Sequence, residues 1–186
     1  MVPEVIRTDR LVLRPFSSTD ADDILAYASD PSWYRFSNVA QAQTGYTRAD
    51  AVSFVARQLA TDPNEKATWA IEYEGRASGS IKAHFFYGHR VAELGYGVAK
   101  RAWGRGLAVE ACRAIITACY KEYSQLIRFR ARSDARNTQS IRVMSKLGMS
   151  REAFLRSDRF VRGELVDEVI YGLLRREWIT PLSTRA

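Results

Sequence analysis

The chain has 186 residues, 46% of them hydrophobic and 26% charged, with a net charge of +7. That length suits one domain, residues 1–186, whose single core can bury roughly 70% of the unfolded surface. No run of some 18 apolar residues is present to cross a bilayer, and residues 1–7 lack the basic-then-apolar pattern of a secretory signal, so no membrane partner and a cytoplasmic location are expected.

In chain order, Leu11 and Leu13 alternate with Val12 and Arg14 as a short strand that Pro15 ends. Thr19, with Asp22 three residues later, reads as the N-cap and acidic first turn of a helix. Its apolar stripe is Ile24, Leu25, Tyr27 and Ala28, and Asp30-Pro31 stops it. Thr47 and Asp50 repeat the signal ahead of Val52, Phe54, Val55 and Leu59. Between these helices, residues 31–46 carry Trp33, Tyr34, Phe36 and Tyr46 with little periodicity, and such aromatics either pack on the domain or line a substrate site.

Strands follow at 68–73, 78–87 and 91–98, and the turn signals Glu74-Gly75 and Gly88-His89 make them an antiparallel meander. Gly95 and Gly97 inside the third strand mark a bulge or a close approach of a ligand to the backbone. A long helix then runs through Val109, Ile115 and Ile116 to about Tyr120. After it come a strand at 126–131, a helix over 137–147 and strands at 152–156 and 166–174. The order predicts an α/β (α+β) fold: a mixed, mostly antiparallel central sheet flanked by helices.

Cys112 and Cys119 lie seven apart on the long helix, about 10 Å along its axis, too far for a disulfide. Both read as reduced, buried thiols, and no His, Cys and Asp spacing around His84 or His89 suggests a metal, so none is expected. Residues 101–186 hold 17 basic and 9 acidic side chains, against 11 and 12 in residues 1–100. Arg128, Arg130, Arg132, Arg136 and Arg142 cluster there and suit a polyanionic cofactor, RNA or a solvated face.

The stretch 101–108 sets glycines at 104 and 106 between a strand and a long helix. Without Cβ atoms the backbone can turn its amides toward an anion, and the positive end of the helix dipole lies beneath them. Two better-known phosphate loops do not fit: the first needs glycine where Val109 stands, and the second, which ends in Gly-Lys-Ser/Thr, is absent. Arg101, Gly104 and Gly106, followed by a helix, instead resemble the coenzyme A pyrophosphate loop, R/Q-x-x-G-x-G/A, of the GNAT acetyltransferase superfamily. The extension from Trp103 through Glu110 to Ala111 is similar to the RimJ/RimL branch. Asn137 and Ser140, followed by Lys146 and Gly148, resemble that family's second motif, and the order of elements matches its fold over nearly the whole chain. Asn137 and Gly148 also read as the cap and the left-handed end of their helix.

The resemblance implies acetyl-CoA as cofactor. Its diphosphate would meet Arg101, Trp103, Gly104, Arg105, Gly106, Leu107 and Ala108. Its pantetheine arm would meet the strand at Leu94, Tyr96 and Val98 and the helix at Asn137, Ser140 and Lys146. Many members place a tyrosine seven residues after that Asn as the acid for the departing thiolate; Met144 stands there, so Ser140 becomes the expected donor and Tyr171 the second choice. Glu93 is the expected base, directly or through water. Trp33 and Tyr34 are placed at the acceptor end, and Asp167 and Glu168 lie near it as rival carboxylates to Glu93 or as binders of a cationic substrate. The implied acceptors are a protein or peptide N-terminus, a ribosomal protein among them, or a small-molecule amine, with no direct DNA binding and a monomer or homodimer. The competing expectation is a non-catalytic module that binds RNA or the ribosome through the basic cluster.

Overall fold

The computed structural model describes residues 2–36 and 45–179. Eight strands form one sheet in the order β1-β2-β3-β4-β5-β6-β8-β7: β1 (Ile6–Arg7), β2 (Leu11–Arg14), β3 (Lys66–Tyr73), β4 (Arg76–Phe86), β5 (Val91–Val98), β6 (Arg128–Asp134), β7 (Ser150–Val161) and β8 (Glu164–Leu174). Every pairing is antiparallel except β5 with β6. The mixed, mostly antiparallel sheet expected from the sequence is what forms.

Strand alternation assigns the two faces. On β4, Ile81, Ala83 and Phe85 turn into the larger core with α4 (Leu107–Glu122) and α5 (Thr138–Lys146). Ser80, Lys82 and His84, one residue out of phase, lie on the opposite face. That face carries α1 (Ala21–Ala28), α2 (Pro31–Tyr34) and α3 (Arg48–Leu59), which build a smaller core from Phe16, Ile24, Val55 and Ala70. A last short helix, α6 (Arg175–Ile179), sets Trp178 against the larger core. Among the described residues no helix is long and apolar enough to cross a membrane.

Several local expectations shift. The cap expected at Thr19 is formed by Ser17, whose hydroxyl and Asp20 make a reciprocal capping box on a 3-10 turn leading into α1. Asp20 is buried, and Arg14 holds both its oxygens at 2.8 and 2.9 Å. The Thr47–Asp50 box forms as read. Asp30-Pro31 ends α1 and also starts α2, with Asp30 as N-cap and Pro31 in the first turn. β7 runs far beyond 152–156, because its pairing with β8 is main-chain and most of its side chains, Phe154 and Phe160 among them, are exposed and leave little apolar alternation to read. Both cysteines are free and buried; burial pushes the Cys119 thiol up to about 12 and the Cys112 thiol higher still.

The feature that positions the site is a split in the sheet. β5 pairs with β4 along its whole length, from Val91↔Phe86 to Val98↔Gly79. With β6 it pairs only at Val91↔Arg128, Ala92↔Phe129 and Glu93↔Arg130. β6 stays with β8 as far as Asp134↔Glu168. Past Glu93 the two strands part, so one edge of residues 94–98 has no strand partner.

Candidate active site

A cavity of about 360 Å³ opens from the split toward α4 and α5. Its floor is the loop expected to hold phosphate: Gly104 and Gly106 have φ of +74° and +77°, the left-handed region that favours glycine. Trp103 Nε1 donates to the Val98 carbonyl at 2.7 Å and pins the loop to the end of β5. Among the described residues, the amides of 104–109 donate to no carbonyl or side chain. Six consecutive N–H groups at the start of a 16-residue helix are therefore available to an anion.

The loop is clamped from behind. Arg10 Nη1 donates to the Arg105 carbonyl at 2.9 Å, and Glu110 on the first turn of α4 accepts from Thr8 Oγ1 at 2.6 Å and from Arg10 N and Nε at 3.1 and 2.7 Å. Burial alone would raise the Glu110 pKa, but the bonds from Thr8 and Arg10 outweigh it and hold the carboxyl below its usual range.

Two expected cofactor cations lie elsewhere. Arg101 Nη2 turns back to Ser78 Oγ at 2.7 Å, and Arg105 stacks on Tyr73 while donating to its hydroxyl at 2.9 Å. Gly104, Gly106, Leu107, Ala108 and Val109 line the cavity, while Arg101 and Arg105 do not. The cations that line the cavity come from α5, Lys146 and Arg142.

On the opposite face, a cavity of about 610 Å³ is enclosed by Trp33, Phe36 and Phe54 and by β3 to β8. Trp33 packs on Tyr27, with ring centroids 5.0 Å apart, and leans against β5, where a Cβ at Gly97 would stand 3.3 Å from its ring. Glu93 lines this cavity and accepts from Arg130 Nε at 2.9 Å. Glu168 lines it too, buried, and accepts from Arg132 Nε at 2.8 Å. That bond to the carboxylate holds the Arg132 guanidinium protonated above its ordinary range.

Tyr96, Asn137 and Ser140 line both cavities and so stand at the split itself. The Asn137 carbonyl oxygen accepts from the Ser140 amide at 3.1 Å, the cap expected for α5, and Gly148 beyond that helix has φ of +81°. The Tyr96 hydroxyl lies 3.0 Å from Ser140 Oγ and 3.2 Å from the Ser140 carbonyl. Burial keeps this phenol protonated well above the usual tyrosine range. Leu94 lines the larger cavity; Val98, Leu107 and Ala108 line the other.

Three expected residues fall outside the site. Tyr171 is 8% exposed and shares its face of β8 with Val169 and Leu173, inside the larger core. Tyr34 is buried beneath Arg162, whose guanidinium lies 5.4 Å from its ring centre, and lines neither cavity. Asp167 accepts from the Ser157 amide at 2.9 Å, where β7 bulges against β8 and Ser157 takes a φ of +50°. Of the segment 31–46, residues 37–44 lie outside the described residues.

The basic cluster is largely neutralised: Arg128 pairs with Glu152, Arg130 with Glu93, Arg132 with Glu168 and Arg136 with Asp134. Sequence reasoning missed Lys66, Lys82 and Arg159, which enter the larger cavity. The alternation of Ser80, Ile81, Lys82 and Ala83 already placed Lys82 opposite the core. Nothing local pointed to its neighbours on other strands.

A family model described as an acetyltransferase (GNAT) domain matches residues 10–150. The uncharacterized N-acetyltransferase YnaD of Bacillus subtilis (strain 168) is 31% identical over 173 residues, covering 93% of this chain and 98% of that protein. The crystal structure of a GNAT-family acetyltransferase from Bacillus anthracis superposes with a TM-score of 0.80 at 27% identity, covering 93% of this chain and 99% of that one. RimL, a ribosomal L7/L12 alpha-N-protein acetyltransferase solved in complex with coenzyme A, has the same fold, with a TM-score of 0.81 at 16% identity over 94% and 99% of the two chains.

Proposed function

The chain belongs to the GNAT acetyltransferase family, and from that premise we propose that it transfers an acetyl group from acetyl-CoA to a primary amine by direct attack in a ternary complex. The observation that carries this reading is the split between β5 and β6, where two cavities on opposite faces of the sheet share Tyr96, Asn137 and Ser140. A donor entering over α4 and α5 and an amine entering over α1 to α3 meet there.

The residues suit the donor. The free amides of 104–109 take its diphosphate, Lys146 and Arg142 add charge beside them, and the unpartnered edge of 94–98 receives its pantetheine arm. When bound, acetyl-CoA supplies a thioester carbonyl. Main-chain N–H groups on that edge stabilise the charge developing on the carbonyl oxygen, typically a large share of acyl-transfer catalysis.

Proton movement falls to the side chains at the split. An α-amine, with a pKa of about 8, is mostly protonated near pH 7, and a lysine amine almost wholly so. Glu93 sits on β5 at the last residue paired with β6 and takes that proton, directly or through water. Ser140, backed by the Tyr96 hydroxyl, hydrogen-bonds the departing thiolate. A weak donor suffices there, because a thiol of pKa about 8.5 leaves without full protonation. The acceptor is a peptide or protein N-terminus, ribosomal proteins included, or a small-molecule amine.

The test is release of free coenzyme A on mixing the purified protein with acetyl-CoA and a panel of amines and peptides. Amine-dependent release is expected, together with a rise in melting temperature on adding acetyl-CoA alone, since a ligand at 100 times its Kd stabilises by about 2.7 kcal/mol. No release with any amine, and no thermal shift, overturns the reading. The RNA-binding alternative loses its motive, because four of its five arginines are held by carboxylates.

A further inference from the structure

Four cations, Lys66, Lys82, Arg132 and Arg159, and two carboxylates, Glu93 and Glu168, line the acceptor-side cavity. The carboxylates are already engaged. Glu93 is held by Arg130, while Glu168 has Arg132 on one oxygen and Arg159 at 3.8 Å from the other. The two lysines are left over: among the described residues, no carboxylate lies within ion-pair distance of Lys66 or Lys82.

Lys82 is held at the split by its strand neighbours. Its register partner on β5 is Gly95, where a Cβ would stand 2.5 Å from Lys82 Cε and 3.2 Å from its Cγ, so the missing side chain is the space the lysine stem fills. Gly95 is two residues beyond Glu93, the last residue of β5 paired with β6. On the other side, the register partner of Lys82 is Thr68, whose buried Oγ1 has no hydrogen-bond partner among the described residues. Lys66 stands two residues earlier on the same strand. Surrounding protein, and then the positive charge of Lys66, lower the Lys82 pKa; the Glu93 carboxylate opposes them and Arg159 adds to them, with the net shift downward.

We propose that Lys66 and Lys82, with the Thr68 hydroxyl, form an anion subsite in the acceptor cavity, so that the preferred acceptor is an amine that also carries a carboxylate or a phosphate. The proposal rests on the acetyltransferase reading and narrows it. An incoming ammonium adds positive charge to a cavity where each carboxylate already carries an arginine, and a second, anionic group on the same molecule offsets that cost. Two ammoniums on adjacent strands set where the anion rests, and so where the amine on the same molecule stands relative to the thioester. Polyamines meet the same lysines as repulsion, which is how specificity excludes them.

The experiment measures coenzyme A release by the full chain with matched primary amines: β-alanine, phosphoethanolamine, ethanolamine and 1,3-diaminopropane. A parallel set of short peptides carries glutamate, phosphoserine, glutamine or lysine at the second position. The expected result is a kcat/KM at least tenfold higher for the anionic members than for their uncharged partners, with the carboxylate and phosphate arms telling which anion is favoured. Lys82→Glu should reverse the order, and Lys82→Arg should keep it. Equal rates for anionic and uncharged amines, or a preference that survives Lys82→Glu, overturns the subsite. If no amine reacts, the acetyltransferase reading fails and the subsite is judged by calorimetry, titrating malonate or inorganic phosphate into protein saturated with coenzyme A. Binding that disappears in Lys82→Glu then supports it, and no binding to the unmodified protein overturns it. Should Lys82→Glu not fold, judged by melting and by coenzyme A binding, Lys66→Gln replaces it in each arm with a several-fold loss expected.

Discussion

The two faces of the split sheet are built by different means. Over α4 and α5 the cavity is made chiefly of main chain, with a run of free amides, two left-handed glycines and a helix start. Over α1 to α3 it is made of side chains drawn from α2, α3 and six strands. A diphosphate suits the first kind of site because it asks only for properly aimed N–H groups, which any sequence with the right glycines can present. Discriminating among amines needs the second kind, where one charge on one strand changes the answer.

That contrast breaks most sharply at Gly104. Its φ is +74°, and a Cβ there would meet no other atom within 4 Å. Gly104→Val therefore costs about 1–2 kcal/mol of backbone strain and directs the new side chain away from the protein's own atoms. The expected result is a hundredfold or greater loss of acetyl-CoA affinity by calorimetry, with only a few degrees lost in melting temperature. Unchanged affinity would mean that the amides are not the grip. On the other face, Glu93→Gln should lower kcat by about a hundredfold while acetyl-CoA affinity holds, the size expected for a lost general base. Full activity in that variant would move proton removal to water or to another carboxylate.

The smallest effect belongs behind the donor loop. Glu110→Gln removes a charge that Thr8 and Arg10 both engage, at an expected cost of about 1 kcal/mol in stability near pH 7. Because the Glu110 pKa in the folded protein lies below its ordinary 4.5, the contribution is complete above that pH and is lost as pH falls through the lowered value. Melting curves of the two proteins should therefore differ at neutral pH and converge in strong acid. A gap that persists in acid would assign the loss to packing rather than to charge.

What could be read from the sequence follows the same division. The loop at 101–108 was legible because main-chain geometry demands glycine at fixed positions, and the α5 cap because Asn137 acts on an amide three residues away. The partners of Arg101 and Arg105, Ser78 and Tyr73, were not legible, because they lie 23 and 32 residues away in sequence. Tyr171 was legible after all: alternation along β8 groups it with the apolar Val169 and Leu173, and the core took all three. The Tyr96–Ser140 pair, 44 residues apart, had no local signal. Nor did the surplus charge at Lys82, since counting it requires knowing which arginines hold Glu93 and Glu168.

The clamp of Thr8 and Arg10 on Glu110 and on the Arg105 carbonyl spans about 100 residues of chain. Helix α4 can form early from its own neighbours, but its first turn cannot be anchored until the beginning of the polypeptide has docked beside β3, a closure of high contact order. The expected consequence is that the nucleotide loop is anchored late in folding, and hydrogen exchange at the Arg10 and Leu11 amides, which donate to the Glu110 carboxylate and the Thr8 hydroxyl, should report that docking.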